Sequence, residues 1–417
     1  MGMTISEKIL SKASGEEAYA GDIVTANVSF AMAQDGTAPL TIRAIEDMGG
    51  GKVWDPEKIA LVMDHTVPSS SVGTSSLHKM MREFADEQNI QNTYYGEGIC
   101  HQIMVEKGHV KPGTVVVGAD SHTCTYGALG AFGTGIGSTE MAGVFLSGEL
   151  WFKIPETFRF DVSGEFEDRV VSKDLALKIV GEIESDGATY KAVEYSGPPI
   201  KKMSVGERMT LSNLSVEMGA KTGIVEPDEK VKNFLKGRTD EDFELVSNDD
   251  DAEFEKTLDF DAGDLEPQIA CPHQVDNVSP ISDVAGLSID QVFLGTCTNG
   301  RLEDLEAAAS ILKGKKVSEG TRMIVTPASR EIYNAAIEKG LINVFMDAGC
   351  IISNPGCGPC AGSHQGILAP GEVCLSTANR NFKGRMGSEE SEIYLGSPVT
   401  AAASAINGKI TDPREVD

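Results

Sequence analysis

The sequence predicts an α/β protein built on parallel sheets. Short apolar runs rich in β-branched residues recur along the chain, and each is followed at once by polar or reactive side chains. Buried parallel strands have this continuous apolar character, and helical stretches such as 302–312, with Asn299 as the expected N-cap, alternate with the runs. At 417 residues the chain is too long for one hydrophobic core, so we expect two or three domains.

Six apolar runs are the predicted strands. In chain order they are 59–63, 115–117, 292–294, 323–325, 351–352 and 373–376. The residues that follow them are Asp64 and His65; Asp120, Ser121 and His122; Cys297; 326–329; Cys357 and Cys360; and Asn379 and Arg380. Turns are polar in any protein, so each instance alone means little. In open parallel sheets, however, ligands bind beyond the carboxyl ends of the strands, and the repetition predicts one composite site.

Three cysteines, Cys297, Cys357 and Cys360, give the strongest functional indication. They can supply three thiolates to one metal centre and leave a fourth coordination position for a substrate, which indicates catalysis. The Cys-Gly-Pro-Cys motif at 357–360 also fits a thioredoxin-type redox site, and a closed zinc site is a further interpretation. A redox motif needs a complete βαββα continuation and would leave Cys297 without a role. The spacing therefore favours an iron–sulfur centre.

Weaker signals are interpreted structurally. His101 follows a glycine-rich turn and begins a helical run, where a lone histidine is usually structural. His78 and His109 are expected to be surface or packing residues. The glycine-rich segment 133–137 resembles part of a dinucleotide fingerprint but follows no obvious strand, so it predicts a tight loop or a close backbone approach.

The charge balance restricts the partners. Lys and Arg total 36 against 63 Asp and Glu, a net charge of −27. Such a surface repels phosphate backbones and anionic lipids, so neither nucleic acid nor a membrane is an expected partner. The acidic residues concentrate at 240–266, which predicts a solvated linker or insertion. Without an apolar stretch of about 18 residues or a signal peptide, we expect a cytoplasmic protein with reduced thiols.

The motifs resemble those of the aconitase family, and within it the archaeal type of separate large subunit found in 3-isopropylmalate dehydratase and homoaconitase. The resemblance covers essentially the whole chain in order, and its last three blocks are highly specific. The matching blocks are 33–37, Asp64-His65, His101-Gln102, 118–123, 193–195, 295–299, 355–360 and 379–385.

The resemblance implies a [4Fe–4S] cluster held by Cys297, Cys357 and Cys360, with one iron lacking a protein ligand. That iron would act as a Lewis acid on a substrate hydroxyl. The implied reaction dehydrates a hydroxy di- or tricarboxylate to a cis-alkene and rehydrates it in the opposite sense. The implied architecture is three α/β domains around the cluster, which we place at 1–154, 155–282 and 283–417.

Residue types suggest the supporting chemistry. A departing hydroxide must be protonated, and an imidazole oriented by a carboxylate suits that work near neutral pH. The expected pairs are Asp64 with His65, and Asp120 with His122 or His101. Arg380 and Arg385 can grip substrate carboxylates in forked geometry. By resemblance, Glu194 lies near the water bound to the cluster, Gln34 and Ser121 hydrogen-bond the substrate, and Asn379 lies beside the cluster.

One function is missing from the chain. In the family, a serine of a mobile swivel domain removes the proton from carbon, and that domain also carries the loop that selects the substrate. We expect this swivel domain to be a separate small subunit. Leucine synthesis is the more widespread pathway, which favours 3-isopropylmalate as the substrate, whereas Gln34 leaves the tricarboxylate homocitrate as the alternative substrate. A cluster-based iron or redox sensor and a thiol–disulfide oxidoreductase are the alternatives of another class.

Overall fold

The fold was analysed in a computed structural model, which describes residues 2–416. The α/β class predicted from the sequence is confirmed, because helices alternate along the chain with the strands of mainly parallel sheets. The strands are β1 (Ile23–Asn27), β2 (Phe30–Gln34), β3 (Ile59–Met63), β4 (Asn92–Tyr95), β5 (Val115–Gly118), β6 (Phe132–Gly135), β7 (Glu149–Lys153), β8 (Thr157–Ser163), β9 (Ala192–Ser196), β10 (Thr222–Val225), β11 (Lys256–Asp261), β12 (Gln268–Ala270), β13 (Val278–Pro280), β14 (Gln291–Leu294), β15 (Arg322–Val325), β16 (Ile351–Ile352), β17 (Val373–Ser376) and β18 (Glu392–Leu395).

The helices lie between these strands and cover the sheets. They are α1 (Ile5–Ser14), α2 (Ala38–Asp47), α3 (Val72–Gln88), α4 (Cys100–Glu106), α5 (Ser138–Ser147), α6 (Ser172–Ile183), α7 (Pro198–Lys202), α8 (Val205–Leu214), α9 (Glu229–Leu235), α10 (Ile281–Val284), α11 (Thr296–Asn299), α12 (Leu302–Leu312), α13 (Arg330–Glu338), α14 (Leu341–Ala348) and α15 (Pro398–Asn407). Among residues 2–416, no helix combines the length and apolarity needed to cross a membrane.

Three sheets organise the chain. A five-stranded parallel sheet has the order β4-β3-β2-β5-β6, and a four-stranded parallel sheet has the order β10-β9-β8-β11. The third is a seven-stranded mixed sheet of order β13-β12-β18-β17-β14-β15-β16, in which β12 and β13 run antiparallel to their neighbours. β1 and β7 form a separate antiparallel pair.

All six predicted strands are present, as β3, β5, β14, β15, β16 and β17. Every residue of β3 and β14 is buried, which accounts for the unbroken apolar runs at 59–63 and 292–294. β12 and β13 precede residue 283 but pair within the sheet that carries β14. The expected boundary at 282 therefore separates two strands from the sheet to which they belong.

Two local predictions are corrected. Asn299 is not the N-cap of α12, because it ends α11 and its side-chain amide donates to Asp304 at 2.9 Å, while Arg301 occupies the N-cap position. The segment 133–137 is not simply a loop, since its first residues lie in β6. The expected close backbone approach is confirmed: a Cβ on Gly133 would stand 2.5 Å from the carbonyl oxygen of Thr123.

The acidic segment 240–266 is only partly a solvated linker. Many of its acidic side chains are exposed, as expected. Its middle, however, binds the N-terminus: Asn248 Oδ1 accepts from the Ile5 amide at 2.7 Å, and Asp249 accepts from the Met3 amide at 2.8 Å. Lys8 adds an ion pair with Asp249 at 2.6 Å. The segment therefore holds α1 in place.

Candidate active site

The three cysteines meet where the seven-stranded sheet faces the five-stranded sheet. Cys297 lies in α11, directly after β14, and Cys357 and Cys360 follow β16. The Cys357 amide donates to the carbonyl oxygen of Asp64 at 3.1 Å, so the carboxyl ends of β3 and β16 are in contact. Gly356, at φ 155°, makes this approach possible, because a Cβ there would lie 2.8 Å from the same carbonyl oxygen.

The thiols are buried and close enough to affect one another. Cys297 is 7% exposed, and Cys357 and Cys360 are each 6% exposed. Burial raises the pKa of the Cys297 thiol to about 12 and that of the Cys357 thiol well above its usual range, and the charge of Cys360 acts in the same direction on both. None of the cysteines in residues 2–416 forms a disulfide.

The surroundings of the sulfurs suit thiolate ligands of a metal centre. Cys297 Sγ accepts from the side-chain amides of Asn213 at 3.3 Å and Asn379 at 3.4 Å. Arg385 Nη2 lies 3.7 Å from Cys360 Sγ. N–H donors and a guanidinium stabilise anionic sulfur in a buried site, where unpaired thiolates would be unfavourable. Three buried sulfurs with this donor set fit the cluster that the sequence resemblance implies.

His65 is held between two carboxylates at the edge of the cysteine group. Its Nδ1 lies 2.8 Å from Asp64 Oδ1 and 3.3 Å from Asp35 Oδ1. One potential ligand atom from each of Asp64, His65 and Cys357 lies within 4.8 Å of the other two. Burial alone would lower the pKa of His65, but the charges of Cys357 and Asp64 raise it well above its usual value. The predicted Asp64–His65 pair is thus formed beside a cysteine.

Asp120 organises the second acid–base group. Its Oδ1 lies 3.0 Å from His101 Nε2 and accepts from the His122 amide at 2.9 Å, and its Oδ2 accepts from Gln34 Nε2 at 3.3 Å. Burial would raise the pKa of Asp120, but His101 and His122 together lower it well below its usual range. Ser121 Oγ lies 3.4 Å from His122 Nδ1. The structure therefore brings all five of these sequence-predicted residues together.

Glu217 is a site residue that the sequence reasoning missed. Its Oε1 lies 2.9 Å from His122 Nε2 and 2.8 Å from Arg380 Nε. Although burial opposes ionisation, the hydrogen bond and charge of His122, with Arg380, lower the pKa of Glu217. The sequence held one indication: Asn213 and Glu217 lie four residues apart in segment 209–218, where apolar and polar residues are equal in number and whose helical turns bury both side chains.

Glu194 does not join this group, which corrects the position expected from the sequence. Its carboxylate accepts from Asn248 Nδ2 at 2.6 Å, on the side of the sheet that faces the acidic segment. Alternation along β9 sends the next side chain, Tyr195, the other way, to hydrogen-bond Ser215 at 2.8 Å. Burial raises the pKa of Glu194 to about 7. Glu217, rather than Glu194, contacts His122 and Arg380.

The loop after β17 carries the remaining predicted residues. Asn379 contacts Cys297 and Arg385 contacts Cys360, so both border the cysteine group, while Arg380 contacts Glu217. The backbone of this loop is anchored from α6, since the fully buried Lys173 donates to the carbonyl oxygens of Thr377 at 3.1 Å and Ala378 at 2.6 Å. The site thus combines buried thiols, imidazole–carboxylate pairs and cations able to bind carboxylates.

The chain is similar in sequence to a known protein family and to named relatives. The chain matches the sequence model described as "Aconitase family (aconitate hydratase)" over residues 7–286 and 282–408. It is 56% identical over 415 residues to the 3-isopropylmalate dehydratase large subunit 1 of Methanopyrus kandleri, covering 99% of each chain. It is 55% identical over 392 residues to a probable methanogen homoaconitase large subunit of Methanosarcina mazei, covering 94% of this chain and all of that protein. The crystal structure of Thermococcus kodakaraensis aconitase X resembles it with a TM-score of 0.49 at 12% identity, over 91% of this chain and 93% of that one.

Proposed function

The chain belongs to the aconitase family, and we propose that it is the large subunit of a 3-isopropylmalate dehydratase. The enzyme would interconvert 2- and 3-isopropylmalate through a cis-alkene. The observation that carries the proposal is the contact of Asp64 and His65 with Cys357, because it joins an acid–base pair to a thiol that could bind a metal. The relatives at 56% and 55% identity that are named as 3-isopropylmalate dehydratase large subunits support the substrate.

We propose that Cys297, Cys357 and Cys360 hold a [4Fe–4S] cluster with one iron free of protein ligands. When bound, this cluster would supply a Lewis acid that makes the substrate hydroxyl a better leaving group. The amides of Asn213 and Asn379 and the guanidinium of Arg385 would balance the charge of the thiolates. The burial of all three sulfurs supports the assignment, since it limits access of water and oxidants.

His65 is the proposed proton donor to the departing hydroxide. Its Nδ1 faces two carboxylate oxygens, so Nδ1 carries the hydrogen and Nε2 is the atom left to exchange a proton. His101 is less suited, because Nε2 is bound to Asp120 and Nδ1 lies 3.2 Å from the Tyr126 hydroxyl. We assign His101 and Asp120 the task of orienting the group around Gln34 and His122.

Substrate carboxylates would bind to Arg380 and Arg385. Glu217 occupies only Nε of Arg380, which leaves its two terminal nitrogens for a forked pair with a carboxylate. These cations also provide the local positive charge that an anionic substrate needs on a chain of net charge −27. Ser121 and Gln34, which border His122 and Asp120, are the proposed hydrogen-bonding partners of the substrate.

A small subunit would complete the enzyme. It would bring the serine that removes the proton from carbon, along with the loop that selects the substrate. The relatives named as large subunits support a two-subunit enzyme. Homoaconitase is the second candidate function, because a relative with that name is 55% identical.

The test is an anaerobic assay of the chain assembled with candidate small subunits on 3-isopropylmalate, homocitrate and citrate. Isomerisation of 3-isopropylmalate by the assembled protein, with little turnover by the large subunit alone, is the expected result. Preference for homocitrate would select the second candidate. Robust activity of the large subunit alone, or inactivity of every assembled pair on all three acids, would contradict the proposal.

A further inference from the structure

A third histidine, His78, lies behind the Asp64–His65 pair and has no part in the reaction described above. It belongs to α3, and its side chain is only 2% exposed. Its Nε2 lies 3.0 Å from Oδ2 of Asp35. The sequence suggests a surface or packing residue, whereas the structure makes His78 the partner of a carboxylate that also contacts His65.

Asp35 links the two imidazoles. Its Oδ1 accepts from the His65 amide at 3.1 Å and lies 3.3 Å from His65 Nδ1. Its Oδ2 accepts from the Thr66 amide at 3.2 Å and faces His78. Burial would raise the pKa of Asp35, but the hydrogen bonds from His65 and His78 lower it. Asp35 is therefore a buried carboxylate that needs all four of these donors.

The hydrogen bonds also fix the tautomer of His78. A carboxylate oxygen can only accept, so His78 Nε2 must carry a hydrogen. Its Nδ1 is buried and has no hydrogen-bond partner among residues 2–416, so a hydrogen there would be unpaired. The neutral Nε2–H form satisfies both conditions. His78 thus acts as a fixed donor, a role that another N–H donor of similar reach could fill.

We infer that His78 is a positioning residue for His65, acting through Asp35; this rests on the dehydratase function proposed above. His78 holds the far oxygen of Asp35, and Asp35 with Asp64 fixes the plane of the His65 imidazole, so that Nε2 faces the substrate. Three consecutive contacts of 2.8 to 3.3 Å connect His78, Asp35, His65 and Asp64. Small displacements of a reacting group reduce catalysis strongly.

Substitution of His78 separates positioning from packing. His78→Phe keeps a ring beside Tyr95, whose centroid is 5.6 Å away, but removes the donor. We expect it to lower kcat of the assembled enzyme by about tenfold or more while KM changes by less than about twofold. His78→Gln places an amide N–H near the position of Nε2 and should restore kcat to within about threefold of wild type.

His109→Phe is the matched control. His109 is also a largely buried histidine with one side-chain hydrogen bond, to the Tyr94 hydroxyl at 2.7 Å, but neither contacts the acid–base groups. It should leave kcat unchanged even if the thermal unfolding midpoint falls as much as in His78→Phe. Equal kcat in His78→Phe and wild type would overturn the inference, and so would equal losses of kcat in His78→Phe and His78→Gln.

A spectroscopic measurement keeps this test separate from the proposed function. The proton resonance of His65 Nδ1–H, assigned by its absence from His65→Asn, should shift in His78→Phe and return in His78→Gln in the assembled protein. If wild type isomerises none of the three acids, the proposed function fails, and this resonance alone decides whether His78 positions His65. An unshifted resonance in His78→Phe would overturn the inference.

Discussion

Glu217 and Arg380 form a partly buried ion pair in which Arg380 Nε lies 2.8 Å from Glu217 Oε1. The same oxygen faces His122 Nε2 at 2.9 Å. One carboxylate therefore aligns a guanidinium that would bind substrate with an imidazole of the acid–base group. This contact joins the segment after α8 to the loop after β17, two parts of the chain 163 residues apart.

The Glu217 pair gives the first prediction. Glu217→Gln keeps an oxygen that can accept from both partners and removes only the negative charge, so kcat/KM should fall by about tenfold. Glu217→Ala removes the acceptor as well and should cost about a hundredfold. Glu229→Gln, which alters an exposed carboxylate paired with Lys232 at 2.6 Å, serves as the control. Equal kcat/KM in Glu217→Ala and the control would refute this role.

Lys173 provides a prediction about stability. Its side-chain nitrogen, buried in α6, donates to the carbonyl oxygens of Thr377 and Ala378, just before Asn379. Lys173→Met leaves two buried acceptors without a donor, so the free energy of unfolding should fall by about 2–4 kcal/mol. Lys178→Met, on an exposed part of the same helix, should change the unfolding free energy by less than about 0.5 kcal/mol. Denaturant unfolding measures both, and similar values for the two variants would rule out the anchoring role.

The raised pKa of the buried Glu194 carboxyl predicts that stability depends on pH. Its pKa in the folded protein, about 7, lies above the ordinary value of 4.5 because the carboxyl is buried. The folded chain therefore holds a proton that the unfolded chain releases. The stability that this proton contributes is fully present below pH 4.5 and is lost as the pH rises through 7. Relative to wild type, Glu194→Gln should gain up to about 3 kcal/mol between pH 4.5 and 8.

Comparing Glu194→Gln with wild type cancels the contribution of the other buried acids to the pH dependence of the unfolding free energy. Asp174, raised by burial to a pKa of about 7, and Asp304, raised to about 6, are present in both proteins. Only the difference in unfolding free energy between variant and wild type is needed. A difference that stays constant from pH 4.5 to 8 would show that Glu194 does not titrate in this range.

Local sequence predicted much of the fold and part of the site. The six apolar strands and the residues at their ends were recognisable because a strand buried on both faces is a continuous apolar run, and the polar residues at its end follow directly in the sequence. Glu217 was missed, and Glu194 was misplaced, for a different reason. Which face of β9 meets the site depends on the contact of Tyr195 with Ser215, which follows α8, and no local pattern reports that contact.

His78 illustrates the same limit. Its function follows from Asp35, 43 residues away, and neither residue lies in a motif that indicates an imidazole–carboxylate pair. The pairing of β12 with β18 was likewise not predicted, since an antiparallel addition to a parallel sheet depends on a distant strand. Short-range periodicity identifies elements, whereas these relationships arise only when distant elements pack.

The central claim is that Cys297, Cys357 and Cys360 together hold an iron–sulfur cluster. The direct measurement is the iron content and visible absorption of the anaerobically reconstituted chain, for wild type, Cys297→Ser and the control Cys350→Ser, which alters a partly buried cysteine outside the group. Wild type and Cys350→Ser should be brown with about four irons per chain, and Cys297→Ser should lose most of both. A colourless wild type, or a Cys297→Ser variant with undiminished iron, would contradict the claim.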